Sequence, residues 1–314
     1  MPLAGGAHAL PPKAIPVRAS SMSLPAPSSL PTTERGSDKG TISISFVEEA
    51  LVEPRARGID TGALLEHAGI SPELLNAPQA RVASSRYAAL WHSIAQALDD
   101  EFFGMDSHRM RAGSFTLLCH SVIHCDTLGR ALRRALRFLR LVLDDFEGVL
   151  EREGEVARVV LLERCTEPRR AFAYGTFLII LHGLACWLVG RRIPLDHAAF
   201  RCLEPAYSGE WRVLFSPDLR FGQAGTEIVF PADYLDMPNV QNERTMKVFL
   251  RSAPANFLVK YRNSDGLVAR IRRLLRDIPP HAWPDFETLA QQMHFSPSTL
   301  RRHLLDEEIG RASW

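Results

Sequence analysis

An α+β domain followed by an all-α helix-turn-helix is the fold class this sequence predicts, and three observations predict it. Between residues 41 and 238, helical periodicities alternate with short β-branched runs in the order helices, then β-β-α-β-α-β-β, and strands so arranged cannot all be parallel. The last thirty residues, Pro284 to Trp314, read as one complete helix-turn-helix. A chain of 314 residues with 46% hydrophobic content can bury a sizeable core and is too long for one ordinary domain.

In chain order, residues 1–40 are rich in Pro, Ser, Ala and Gly without periodicity. They are expected to be a disordered extension, because they cannot bury enough surface to offset the entropy of ordering. A start at Met22 accounts for them as well as a function does. From Ile42 to Asp100 the pattern is helical. Phe46, Ala50 and Leu51 share a face, Gly58-Ile-Asp60 breaks it, and Thr61 to His67 resumes it. Ser71-Pro72-Glu73 is a cap-plus-proline helix start, and Tyr87 to Leu98 forms a further helix. Two helices follow across Phe115 to Leu143. Phe146 to Glu151, Gly154 and Val156 to Glu163 predict a β-hairpin. Arg170 to Arg191 is a long buried helix. Its apolar run, Tyr174 to Gly190, is 17 residues long and contains His182, short of the ~20 a bilayer span needs. His197 to Leu203 reads as a strand, Glu210 to Phe215 as a short helix, and Leu219 to Phe230 as a second hairpin turning at Gln223-Ala-Gly225. The expected domains are therefore an extension over 1–40, an α+β domain over 41–238, a helical connector over 239–262 and a helix-turn-helix region over 263–314.

In that last region Ser264-Asp265-Gly266 caps a helix from Leu267 to Asp277, which ends before Pro279-Pro280. Asp285 to Met293 places apolar residues at 286, 289, 290 and 293, one buried stripe. His294-Phe295 makes the turn. Ser296-Pro297 then opens a second helix, with serine as N-cap and proline at the first helical position, where its missing N–H costs nothing. Leu300 and Leu304 face inward, while Ser298, Arg301, Arg302 and Leu305 fall at i, i+3, i+4 and i+7 and share another face. Two arginines near the start of a short second helix suit major-groove reading, because the guanidinium fork pairs with guanine edges or phosphates. Net charge works against tight binding. From Asn263 to Trp314, Arg270, Arg272, Arg273, Arg276, Arg301, Arg302 and Arg311 are balanced by Asp265, Asp277, Asp285, Glu287, Asp306, Glu307 and Glu308, and the whole chain carries only +1. Phosphate contacts dominate DNA affinity, so this neutral region should bind weakly alone.

Other constellations have two readings each. In Cys119-His120-x3-His124-Cys125, His120 and His124 sit at metal-ligand spacing on a helix, but the two cysteines point about 120° to either side. Core packing or pocket lining is expected there rather than metal. Arg130, Arg133, Arg134 and Arg137 form a stripe that is either an anion or partner surface or, as charge runs usually are, a solvated face. Five cysteines without a Cys-x-x-Cys pair read as reduced thiols in a cytoplasmic protein. No G-x-S-x-G, Gly-rich phosphate loop or paired metal motif is present, so no catalytic residue, metal or cofactor is expected and the chain is read as no enzyme.

Phe295-Ser-Pro-Ser-Thr-Leu-Arg-Arg-His-Leu-Leu-Asp-Glu-Glu308 resembles the recognition helix of the first helix-turn-helix in AraC-type transcriptional regulators. Gly113 to Cys125, Leu128 to Arg134, Trp187 to Pro194, and Phe221-Gly222 leading to Phe230 resemble their arabinose-binding-like amino-terminal sensor domain, in the subgroup of ornithine-utilisation and virulence regulators. The resemblance implies an α+β sensor domain that binds a small effector, followed by a partial AraC-type DNA-binding domain. Such domains hold two helix-turn-helix units, whereas this sequence carries one and then departs from the pattern at Ile309 to Trp314. A truncated domain is therefore expected. The residues expected to contact promoter DNA are Ser298, Arg301, Arg302 and Leu305, with binding weak or lost through the truncation. Phe172, Tyr174, Phe177 and Trp187 read first as core; Tyr174, His182 and Trp187 would supply the polar groups of an effector pocket. Expected partners are promoter DNA, an unknown small-molecule effector and a second copy of the chain in a homodimer, with no membrane. The alternative is a truncated sensor that self-associates without binding DNA.

Overall fold

Three-residue strands bracket the first helices, a feature no periodicity announces. The computed structural model describes residues 40–165, 169–258, 267, 271, 274, 275, 278, 279 and 282–306. Thus residues 1–39, the tail from 307 onward and most of the helix expected over 267–277 lie outside the described residues. Strand β1 (Thr41–Ser43) pairs antiparallel with β2 (Arg81–Ala83), Ile42 opposite Val82, so the expectation of an all-helical stretch from Ile42 to Asp100 is corrected. The helices of this stretch are α1 (Ile44–Ala56), α2 (Thr61–His67) and α3 (Ser84–Leu98). Asp60 caps α2 by accepting the N–H groups of Gly62 and Ala63. The cap-plus-proline start at Ser71-Pro72 yields only a 3-10 turn, Pro72–Asn76, and the Ser71 side chain caps nothing.

Between α3 and α4 (Ser114–Val122) the backbone makes no regular ladder, and carboxylates take up its N–H groups instead. Asp100 accepts from Phe102, Gly104 and Met110 at 2.8, 2.9 and 3.1 Å. Glu101 accepts from Gly113 and Phe115, both at 2.7 Å, at the start of α4. Asp106 accepts from His108, Asp144 and Asp145, tying the loop to the far end of α5 (Leu128–Val142). A loop this buried requires such partners, because an unpaired buried N–H is costly.

The expected hairpin of β3 (Phe146–Glu153) and β4 (Val156–Glu163) forms, with Phe146 opposite Glu163, and α6 (Ala171–Leu188) follows. Next come β5 (His197–Ala199), α7 (Ser208–Leu214), β6 (Leu219–Arg220) and β7 (Thr226–Pro231). The sheet order is β3-β4-β7-β5-β6. The second hairpin expected over Leu219 to Phe230 is not formed. β7 pairs antiparallel with β4 and β5, and β6 lies parallel to β5 on its other side. A two-residue strand has too little ladder of its own to fix its neighbour, so pairing is decided by the longer β4 and β7.

α6 is apolar all round and buried from Phe172 to Leu188. It is long and apolar enough to cross a membrane, but it is enclosed by the rest of the α+β fold. Glycines let partners reach its backbone: a Cβ on Gly175 would stand 2.5 Å from the Trp211 ring, and one on Gly183 would stand 2.5 Å from Phe257. Phe146 of β3 packs on Tyr174 and Phe177. Beyond the sheet, α8 (Glu243–Ser252) is capped by a reciprocal Asn242–Thr245 box and joins the same core through Met246 and Phe249. A separate apolar cluster joins Leu267, Ile271, Leu289, Ala290, Met293, Leu300 and Leu304, on and before α9 (Phe286–Gln292) and α10 (Pro297–Asp306).

Candidate functional site

α9 begins at Asp285, whose carboxylate accepts the Thr288 N–H at 2.8 Å; the Thr288 hydroxyl, and then that N–H, hold the carboxyl below its ordinary range. Leu289, Ala290 and Met293 are buried and Phe286 half-buried, as the stripe requires. The helix ends in a Schellman turn. Phe295 donates its N–H to the Ala290 carbonyl and His294 donates to Gln291, while His294 takes a left-handed φ of 60°. Ser296 then caps α10, its Oγ accepting the Thr299 N–H at 3.2 Å and its carbonyl accepting the Leu300 N–H at 2.8 Å. Turn and cap together fix the register in which Leu300 and Leu304 are buried.

That register leaves Ser298, Arg301 and Arg302 exposed side by side. The Ser298 hydroxyl sits 3.1 Å from that of Ser296. The Arg301 guanidinium lies over the Phe286 ring, 5.4 Å from its centre, a cation–π contact that links α10 back to α9. Arg302 makes no hydrogen bond or ion pair among the described residues. The side chain of Leu305, the fourth residue expected on this face, lies outside the described residues. The local spacing placed Ser298, Arg301 and Arg302 on this exposed face. It did not identify Phe286 as the platform for Arg301, although an aromatic fifteen positions earlier was visible.

The three residues expected in an effector pocket are not brought together. Tyr174 is buried against Phe146, and its Oη accepts the Arg169 N–H at 3.3 Å; burial, then the neighbouring Glu163, raises its phenol. The His182 Nε2–H donates to the Ile193 carbonyl at 2.9 Å, and burial pulls its pKa down to about 4. Trp187 stacks on Phe249, 4.3 Å between ring centres. Each side chain is occupied by a different neighbour.

A polar cluster elsewhere in the interior was not anticipated. Arg170 donates to the Glu49 carboxylate at 2.7 Å, across 121 residues of sequence. Burial raises the Glu49 carboxyl, with Arg170 opposing. The Tyr87 hydroxyl and the Nη2 of Arg170 are buried without hydrogen-bond partners, whereas the Tyr207 hydroxyl faces the Glu49 carboxylate. Burial, then the charge of Glu49, raises both phenols.

Cys119 and Cys125 are buried, and burial pushes the Cys119 thiol up to about 12. His120 and His124 are exposed, and α4 ends at Val122, so the four side chains do not converge. Of the arginine stripe on α5, Arg130 pairs with Asp126 at 2.7 Å and Arg134 donates to the Ser121 carbonyl at 3.0 Å.

Comparison with known proteins places these features in context. A family profile described as the arabinose-binding domain of AraC transcription regulator, N-term, matches residues 58–239, more than half of the chain. The ornithine utilization regulator of Pseudomonas aeruginosa is 26% identical over 266 residues, covering 84% of this chain and 78% of that protein. Uncharacterized HTH-type transcriptional regulators of Mycobacterium bovis and Mycobacterium tuberculosis are each 27% identical over 266 residues, covering 80% of this chain and 75% of theirs. The crystal structure of the transcriptional regulator CdpR from Pseudomonas aeruginosa aligns over 85% of this chain and 81% of its own at 18% identity, with a TM-score of 0.34 that adds nothing about the fold.

Proposed function

Because the chain belongs to the AraC-type transcriptional regulators, with their arabinose-binding amino-terminal domain over residues 58–239, we propose that it senses a small effector through that domain and contacts promoter DNA through α9 and α10. It acts in the cytoplasm as a homodimer, without a catalytic step. One observation carries the DNA reading: a capped turn buries Leu300 and Leu304 and leaves Ser298, Arg301 and Arg302 exposed together on the short second helix. This is the arrangement a recognition helix needs. Arg302 is the freer of the two arginines, whereas Arg301 must exchange its place over Phe286 for a base or phosphate.

We place the effector's polar contacts at Glu49, Arg170, Tyr87 and Tyr207 rather than at Tyr174, His182 and Trp187. In the first set the Tyr87 hydroxyl and the Arg170 Nη2 are buried without partners, and the second set is occupied by its neighbours.

Fluorescence anisotropy tests the DNA reading, using labelled fragments selected from a random pool by the wild-type chain, across a salt series. Arg302→Ala should cost ~1–3 kcal/mol of specific binding if its contact is bidentate to a base. Arg301→Ala should cost a similar amount and also lower the stability of the α9–α10 pair by ~0.5–1 kcal/mol, the worth of an exposed cation–π contact. Binding that is unchanged in the double variant removes these arginines from the interface. The balance of seven positive and seven negative residues from Asn263 to Trp314 favours a second reading, a sensor that self-associates without DNA. Recovery of no sequence-selective fragment would support it.

A further inference from the structure

The outer face of α5 carries more positive charge than the surrounding structure neutralises. Arg130, Arg133, Arg134 and Arg137, with His124, Cys125 and Asp126, line a groove of about 320 Å3. Two of the guanidiniums are tethered, Arg130 by Asp126 and Arg134 by the Ser121 carbonyl. Arg133 and Arg137 are exposed and have no hydrogen bond or ion pair among the described residues. Asp126 is the one carboxylate lining the groove, so the wall is strongly cationic even with His124 neutral. Like charges at i, i+3 and i, i+4 repel and weaken a helix, and a bound polyanion would remove that repulsion.

We propose that this groove binds a small phosphate-bearing polyanion and holds it through its phosphate groups alone. The volume lies at the lower end of small-ligand sites. Guanidinium forks match phosphate oxygens bidentately, and the tethered pair is already positioned for such contacts. Several arginines against one carboxylate call for a multiply charged ligand; a monocarboxylate would leave most of the charge unmatched. No Phe, Tyr or Trp side chain lines the groove, and its one ring, the His124 imidazole, stands at the rim facing Glu243. The charge is also confined. His124 at the rim faces Glu243 at 3.7 Å, which interrupts the cationic surface that a nucleic-acid backbone or acidic protein segment would follow. The inference is independent of DNA binding by α10.

Isothermal titration of the full chain with inorganic pyrophosphate, ADP and adenosine at physiological salt tests it. Pyrophosphate and ADP should bind within about threefold of each other and adenosine should not bind, because only phosphate is recognised. The double substitution Arg133→Ala with Arg137→Ala, or the corresponding Gln pair, should weaken both ligands at least about tenfold without lowering the melting temperature of the ligand-free chain, which gains from the relieved like-charge repulsion. Four results would each overturn the proposal: no heat with either phosphate ligand, equal binding by the double variant, ADP binding that adenosine displaces, or binding of an acidic peptide or DNA at these arginines that pyrophosphate fails to compete.

Discussion

Single residues set the energetics of the α+β domain at two buried ionisable sites. Asp100 is fully buried and satisfies three backbone N–H groups, with burial raising its carboxyl and those bonds opposing. Asp100→Ala leaves three donors unmade, at ~1–3 kcal/mol each where water cannot replace the carboxylate. Urea unfolding should show a loss of at least ~3 kcal/mol, with Asp100→Asn losing less because one oxygen remains. An unchanged midpoint would mean the loop is held by something other than this carboxylate. His182 makes stability depend on pH. Its folded pKa, about 4, lies below the ordinary 6.5, so the unfolded chain binds more protons between those values. The contribution is fully present above pH 6.5 and is lost as pH falls through 4. Between pH 7 and 5 the loss should be ~2 kcal/mol. His182→Gln keeps a donor for the Ile193 carbonyl and should flatten that slope, as denaturant titrations at both pH values would reveal.

At the scale of elements, legibility followed the reach of the signal. α2 was read over its observed span, Thr61 to His67, because its cap, apolar pair and terminating Gly69 all lie within one short window. The α9–α10 turn was legible for the same reason, since Asp285 and Ser296 act on N–H groups within three residues. β1 and β2 were not, because three residues are too few to show a period of two and their partners stand 40 positions apart. Nor could the sequence pair Glu49 with Arg170, or show that Tyr174, His182 and Trp187 on one helix meet three different neighbours. α6 yields a prediction of its own. Gly175→Ala would raise helix propensity by ~1 kcal/mol in an open helix, but here the new methyl meets the Trp211 indole at 2.5 Å. Trp211 is fully buried and stacked on Phe200, so it has little room to give way. Overpacking should win, with a net loss of ~1–3 kcal/mol in thermal unfolding; a gain would show that the indole can shift.

For the whole molecule, one apolar helix organises the main core, and its far end determines what can be transmitted beyond it. Trp187 holds Phe249, and α8 is the last element of that core before the chain leads on toward α9. Burial of Met246 and Phe249 is worth ~1.5–3 kcal/mol each, and the ring stack adds ~0.5–1.5 kcal/mol. At rest, then, fewer than roughly one molecule in several hundred has α8 undocked. A ligand shifts such an equilibrium only by its preference for one form over the other. A ligand that released α8 would have to favour the undocked form by at least several hundredfold. Under the function proposed above, an effector of modest preference would therefore signal with α8 still seated on Trp187.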